Sequence, residues 1–273
     1  MITKRVRDRL TRSVGKYQQL LQAARDRDVN ESDTVSIIKD MLADVFGYDK
    51  YTEVSSEFAV RRTYCDLVVK VENKVEYMIE AKAIGIDLKE SHLRQAIEYG
   101  ANEGVQWVIL SNGVVWQVYK IRFEKPISTD LVCSLNFMEI DPKNEDDQEK
   151  MFILCKEGLR KDAREAFHEK LLVVNRFILG ALILGDKVLG VMRRELRKLS
   201  DGVLVDVGEI SKVLTNEVLK RDALEGEEAG KAQSRVRRFY GKTIRKPLDS
   251  GGEKDLESVH LQTEGNVISN KRE

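Results

Sequence analysis

Two pairs of short, apolar, β-rich runs, each pair folded about a polar turn and the two separated by one helical stretch, constrain this chain most. Residues 58–71 (FAVRRTYCDLVVKV) and 75–83 (VEYMIEAKA) flank Glu72-Asn73-Lys74, and residues 105–110 (VQWVIL) and 114–121 (VVWQVYKI) flank Ser111-Asn112-Gly113. Asn-Gly between apolar runs is a strong hairpin signal, because both residues enter the left-handed backbone region at little cost. Between the pairs, residues 88–102 carry helical spacing. Ahead of them, Asn30 or Asp33 can cap a helix with Val35, Ile38, Met41, Leu42, Val45 and Phe46 at three- and four-residue spacing, ended by Gly47. The order α-β-β-α-β-β predicts an α/β domain, a mixed sheet with helices on its faces.

The flanking segments differ in kind. Residues 1–28 carry eight basic groups against Asp8, Asp26 and Asp28, and read as a basic N-terminal helix occupying residues 1–29. Residues 139–150 (EIDPKNEDDQEK) are acidic, with Pro, Asn and Asp breaking helical and strand periodicity, so they read as a linker closing a domain of residues 30–138. Residues 151–248 read as a helical domain. Its most apolar stretch, residues 171–185 (LLVVNRFILGALILG), is interrupted by Asn175 and Arg176, too short to span a membrane, and reads as a buried helix. Residues 249–273 are polar and glycine-containing, which predicts a disordered tail.

Composition narrows the classes. The 273 residues hold 46 Lys+Arg against 46 Asp+Glu, with 42% hydrophobic residues, as expected of a globular protein with charged helix faces. Cys65, Cys133 and Cys155 are widely spaced, so neither a disulfide framework nor a cysteine zinc site is legible. The charged start MITKRVRDRL has no signal-peptide character. A cytoplasmic protein with no membrane partner is the expectation. His92, His168 and His260 lie far apart without a partner at ligand spacing, and read as surface or partly buried histidines.

Chemistry concentrates at Asp66, at the polar start of LVVKV, and at Glu80-Ala81-Lys82, at the end of VEYMI. In a strand, residues i and i+2 share a face, so Glu80 and Lys82 project together, about 7 Å apart by strand rise. If the two runs pair as a hairpin, Asp66 lands beside Glu80. Two carboxylates converging from neighbouring strands suit a hard cation such as Mg²⁺, or Mn²⁺, which takes carboxylates, waters and substrate phosphate. An adjacent lysine could orient an attacking water while the ion stabilises charge developing on a phosphodiester. Chance also makes such triplets, as Glu72-Asn73-Lys74, Asp87-Leu88-Lys89 and Asp141-Pro142-Lys143 show. Glu80 and Lys82 differ from these because they interrupt an apolar strand, where charge is costly to bury without a ligand or partner.

With those residues in view, residues 30–121 resemble the nuclease domain at the N-terminus of the R subunit of type I restriction enzymes, within the PD-(D/E)xK superfamily. The resemblance rests on ESDTVSIIKDMLADVFGYD, on Asp66 in CDLVV, on IEAKA around Glu80 and Lys82, and on Gln95-Ala96-Ile97-Glu98-Tyr99, similar to that group's Q-x-x-x-Y element. It implies a restriction-endonuclease-like α-β-β-β-α-β core, with Asp66 and Glu80 as metal ligands and Lys82 as catalytic. It further implies a supporting acid on the first helix, here Glu31 or Asp33, and Gln95 and Tyr99 facing the site. Their alternative reading is a solvent glutamine and a core tyrosine.

The family's R subunit continues into an ATP-driven motor. This chain has no G-x-x-x-x-G-K-[ST], since residues 226–231 (GEEAGK) have the wrong spacing and Ala232 follows, so no ATP partner is expected. Cys65 stands where the superfamily's namesake proline would precede Asp66. Arg235, Arg237, Arg238 and Lys242, with Phe239 and Tyr240, combine charge and aromatic rings as a phosphate-tracking, base-stacking surface would, or else form a solvated helix end. The expectation is Mg²⁺-dependent hydrolysis of DNA phosphodiester bonds, in prokaryotic defence or DNA processing. Its rival is a non-catalytic module that keeps the nuclease fold and holds nucleic acid or protein. A homodimer through the helical domain is compatible with either.

Overall fold

The computed structural model describes residues 2–60, 63–199 and 203–244, and divides into two compact units, residues 1–175 and 176–273. In the first, α1 (Lys4–Asp26) and α2 (Glu31–Asp44) precede β1 (Val54–Val60), β2 (Thr63–Val71) and β3 (Lys74–Ala81). Helix α3 (Glu90–Glu103) then crosses to β4 (Trp107–Ser111), β5 (Val115–Arg122) and β6 (Ser128–Asn136), followed by α4 (Glu145–Phe152), α5 (Lys156–Leu159) and α6 (Ala163–Val173). One six-stranded sheet runs β1-β2-β3-β4-β5-β6. Only the β3–β4 neighbours are parallel, because α3 is the crossover between them and all other joins are hairpin-like. From α2 onward this is the restriction-endonuclease-like α-β-β-β-α-β order. The extended segment expected at residues 58–71 is two strands, with Val60 opposite Thr63.

Local chemistry explains the elements. Asn30 caps α2 by accepting from the Asp33 N–H at 2.9 Å, and Ile38, Met41 and Leu42 turn inward. Glu72 and Asn73 both have positive φ, the signature of a two-residue primed turn between β2 and β3. Gly113, at φ +83°, closes the β4–β5 hairpin, where the Asn112 side chain accepts from the N–H groups of Val114 and Val115. Helix α3 lies close against the sheet at Gly100, where a Cβ would meet Ile121 and Val108 below 3.0 Å.

The sheet buries both faces. Leu67, Val69, Tyr77, Ile79, Ile109 and Trp116 pack against α1 and α2, while Val68, Met78 and Val108 pack against Ala96 and Tyr99 of α3. Helix α1 is not a separate basic appendage. Val6, Leu10, Val14, Tyr17, Leu21 and Ala24 form a buried stripe at three- and four-residue spacing, and its charges occupy the opposite face. Arg9 ties it to the rest through two 2.7 Å bonds to Glu157 and a 2.9 Å bond to the Val45 carbonyl.

The domain boundary falls at residue 175, not within residues 139–150. Asn144 caps α4 through the N–H groups of Asp146 and Asp147, and the acids in that first turn suit the helix dipole. Gln148, Met151 and Phe152 face inward, and Ile153, Leu154 and Cys155 extend the same core. The run 171–185 is likewise two helices rather than one buried helix. Asn175 donates to the carbonyls of Leu171 and Leu172 and ends α6, leaving Leu171, Leu172, Val173 and Val174 exposed.

The second unit is helical: α7 (Arg176–Ile183), α8 (Asp186–Leu199), α9 (Val207–Val213), a π turn at Leu214–Val218, and α10 (Glu227–Ile244). Residues 249–273, expected as a disordered tail, lie outside the described residues, as does His260. The three cysteines are free and buried, and no described helix is long and apolar enough to cross a membrane.

Candidate active site

Alternation along β2 and β3 places the site. Val68 and Met78 pack under α3, so Asp66 and Glu80, two residues away, project on that same face where the apolar stripe gives out. The β2–β3 register pairs Leu67 with Ile79, and one step further sets Asp66 opposite Glu80. There the ladder gives way to a side chain: the Ala81 N–H donates to Asp66 Oδ2 at 2.8 Å.

Glu80 is the anomaly. Its side chain is 1% exposed, Lys82 Nζ donates to Oε1 at 2.6 Å, and Oε2 is buried with no hydrogen-bond partner. A buried carboxylate oxygen without a partner costs free energy that a folded protein ordinarily avoids. Burial pushes the Glu80 pKa up to about 7; Asp66 and Glu31 add to the rise, and Lys82 opposes it. Burial pulls the Lys82 ammonium the other way, but Glu80, Glu31 and Asp66 outweigh it and hold the lysine above its ordinary value. The Lys82 ammonium also stands 3.6 Å from Glu31 Oε2, at the first residue of α2. Of the two acids considered on that helix, Glu31 therefore reaches the site. Asp33 is exposed, and its backbone N–H is engaged by the Asn30 cap.

Helix α3 borders the same face. Gln95 Nε2 donates to the Tyr99 hydroxyl at 2.8 Å, and Tyr99 is buried in the sheet–helix core. Burial raises the Tyr99 pKa, with Glu80, Cys65 and Asp66 adding, so the ring lies within electrostatic reach of both carboxylates. Gln95 is exposed and Tyr99 buried, as the reading of a solvent glutamine and a core tyrosine expects, and the hydrogen bond between them ties the two together. His92, three residues before Gln95, accepts from the Lys89 N–H at Nδ1. Desolvation lowers its pKa and the nearby Lys82 charge lowers it further.

Among the described residues, no three His, Cys, Asp or Glu side chains stand close enough to hold an ion unaided. The donor set instead suits Mg²⁺ or Mn²⁺, for which one or two carboxylates suffice when water and a substrate phosphate complete the shell. The partnerless Glu80 Oε2 beside Asp66 is the observation that fits such an ion.

Arg235, Arg237 and Arg238 lie on α10 in the second unit, beside Phe239, which is 65% exposed. Lys187 sits over the Tyr240 ring at 4.5 Å. The Lys242 side chain lies outside the described residues.

Residues 37–131 match the family model of the type I restriction enzyme R protein N terminus. The matched segment runs from within α2 into β6 and contains Asp66, Glu80, Lys82, Gln95 and Tyr99, bearing out the resemblance for about a third of the chain. No curated protein and no solved structure matches the chain.

Proposed function

We propose that this protein is a metal-dependent nuclease that hydrolyses DNA phosphodiester bonds, with its active site at Asp66, Glu80 and Lys82. The observation that carries the reading is the buried, partnerless Glu80 Oε2, held beside Asp66 and tethered through Oε1 to Lys82. The family match adds the association with restriction.

In this reading Glu80 and Asp66 would hold Mg²⁺ or Mn²⁺, with Glu31 supporting from the start of α2. The ion, when bound, supplies positive charge that stabilises the phosphorane-like transition state. Lys82 would donate a hydrogen bond to the attacking water and hold it toward phosphorus; as the water oxygen bonds to phosphorus the bond to the leaving sugar oxygen breaks, the water's proton passing to solvent and the leaving oxygen taking a proton from solvent. Asp66 keeps β2 and β3 in line by accepting from the Ala81 N–H, fixing the carboxylate spacing. Gln95 and Tyr99 border the substrate face, and Arg235, Arg237, Arg238 and Lys242 bind DNA phosphates.

Glu80→Ala and Lys82→Ala, assayed on plasmid DNA with Mg²⁺, are expected to lose cleavage with circular dichroism unchanged. Cleavage retained by either purified, folded variant would remove the assignment.

A further inference from the structure

Thr34 is a fully buried polar side chain with no part in the chemistry proposed above. Its hydroxyl donates to the Asn30 carbonyl at 2.9 Å, one turn back at the start of α2, and accepts from the Ile84 N–H at 3.1 Å. One hydroxyl therefore joins the helix terminus that carries Glu31 to the chain two residues past Lys82. The opposite side of that chain is held as well. Asn112, in the β4–β5 turn, donates to the Ile86 carbonyl at 2.9 Å, and Ile84 itself is buried. Below the joint, Glu31 and Lys82 stand 3.6 Å apart, and Lys82 grips Glu80.

We infer that Thr34 is a positioning residue: its hydroxyl sets the spacing between Glu31 and the Glu80–Lys82 pair, and so the metal affinity of the site. The inference rests on the proposed nuclease reading. A threonine in a helix interior commonly returns its hydroxyl to the carbonyl four residues back, and that bond alone would be unremarkable. The second bond, to a backbone donor on a different element, is what couples α2 to the exit of β3. Without it the Ile84 N–H is buried and unsatisfied, and the segment from Lys82 onward has to shift to find a partner. Groups that orient metal ligands from behind ordinarily change metal affinity about 10- to 100-fold when removed.

The test uses the full chain and titrates Mn²⁺ by electron paramagnetic resonance, which reads binding without turnover, beside DNA cleavage and a thermal melt. Thr34→Val keeps the volume and removes the hydroxyl; Thr34→Ser keeps the hydroxyl and drops the methyl. Expected are Mn²⁺ binding by the wild type, a loss of about 10- to 100-fold in Thr34→Val, and near wild-type affinity in Thr34→Ser. A Thr34→Val protein that melts lower but binds Mn²⁺ as the wild type does would reduce the residue to a structural one and overturn the inference. If Thr34→Val does not fold, Thr34→Ser decides: lower affinity with the hydroxyl in place overturns it, and retained affinity supports it. A wild type that neither binds Mn²⁺ nor cleaves would instead bring down the nuclease reading, and this inference with it.

Discussion

Replacing Glu80 by glutamine should change how stability depends on pH. The Glu80 pKa is raised from 4.5 to about 7, so between those values the folded protein binds a proton that the unfolded chain has released. Stability then falls as pH rises through that window, the reverse of the usual salt-bridged carboxylate. The full difference corresponds to about 3 kcal/mol, and about 2–3 kcal/mol of it is expressed between pH 5 and pH 8. Glutamine keeps the shape and can still accept from Lys82, but it does not titrate. Both tryptophans lie in the first unit, Trp107 on β4, the neighbour of β3, and Trp116 on β5, so their fluorescence during urea unfolding reports on the unit that holds Glu80. Without added metal, the wild type is expected to lose about 2–3 kcal/mol relative to Glu80→Gln between pH 5 and pH 8. Wild-type and variant stabilities that run parallel over this range would show that Glu80 ionises as an exposed carboxylate does, and would remove the electrostatic case for a cation.

Arg164 donates to the Glu76 carbonyl and carboxylate from a nearly buried position and stacks over the rings of Tyr77 and Trp107, so Arg164→Ala leaves Glu76 only the exposed Lys74 ammonium at 3.4 Å and is expected to cost about 3 kcal/mol, the low end for a broken buried pair, by the same urea assay. A cost under about 1 kcal/mol would mean that water already screens the pair. On α10, alanine at Arg235, Arg237 and Arg238 is expected to weaken duplex binding and to flatten the plot of log affinity against log salt by about 0.9 for each phosphate left without its arginine. Unchanged slopes would place the DNA track elsewhere.

What was legible in the sequence followed from the cost of burying charge. Asp66, Glu80 and Lys82 stand out because they interrupt apolar strands, and the structure brings those three together. Other features depend on packing between segments far apart in sequence. Acidic residues with Pro and Asn at 139–150 have the composition of a linker, yet Asn144 caps a helix whose inner face completes the core under β6. The basic residues of α1 obscured its buried stripe. Glu31 and Asp33 are two residues apart on a helix, hence on different faces, and only packing decides which one turns toward Lys82. Thr34 and Asn112 were invisible as participants, since their partners are backbone groups 50 and 26 residues away in the chain. The strand β6 and its pairing with β5 likewise had no turn signal as strong as Asn112-Gly113.

The most direct test of the central claim is incubation of the purified protein with plasmid and single-stranded DNA in Mg²⁺, in Mn²⁺ and in EDTA, beside Asp66→Ala. Cutting that requires the metal and disappears in Asp66→Ala is the predicted result. No cutting by either protein, with salt-sensitive DNA binding by both, would contradict the account and leave a nucleic-acid-binding module on a nuclease fold.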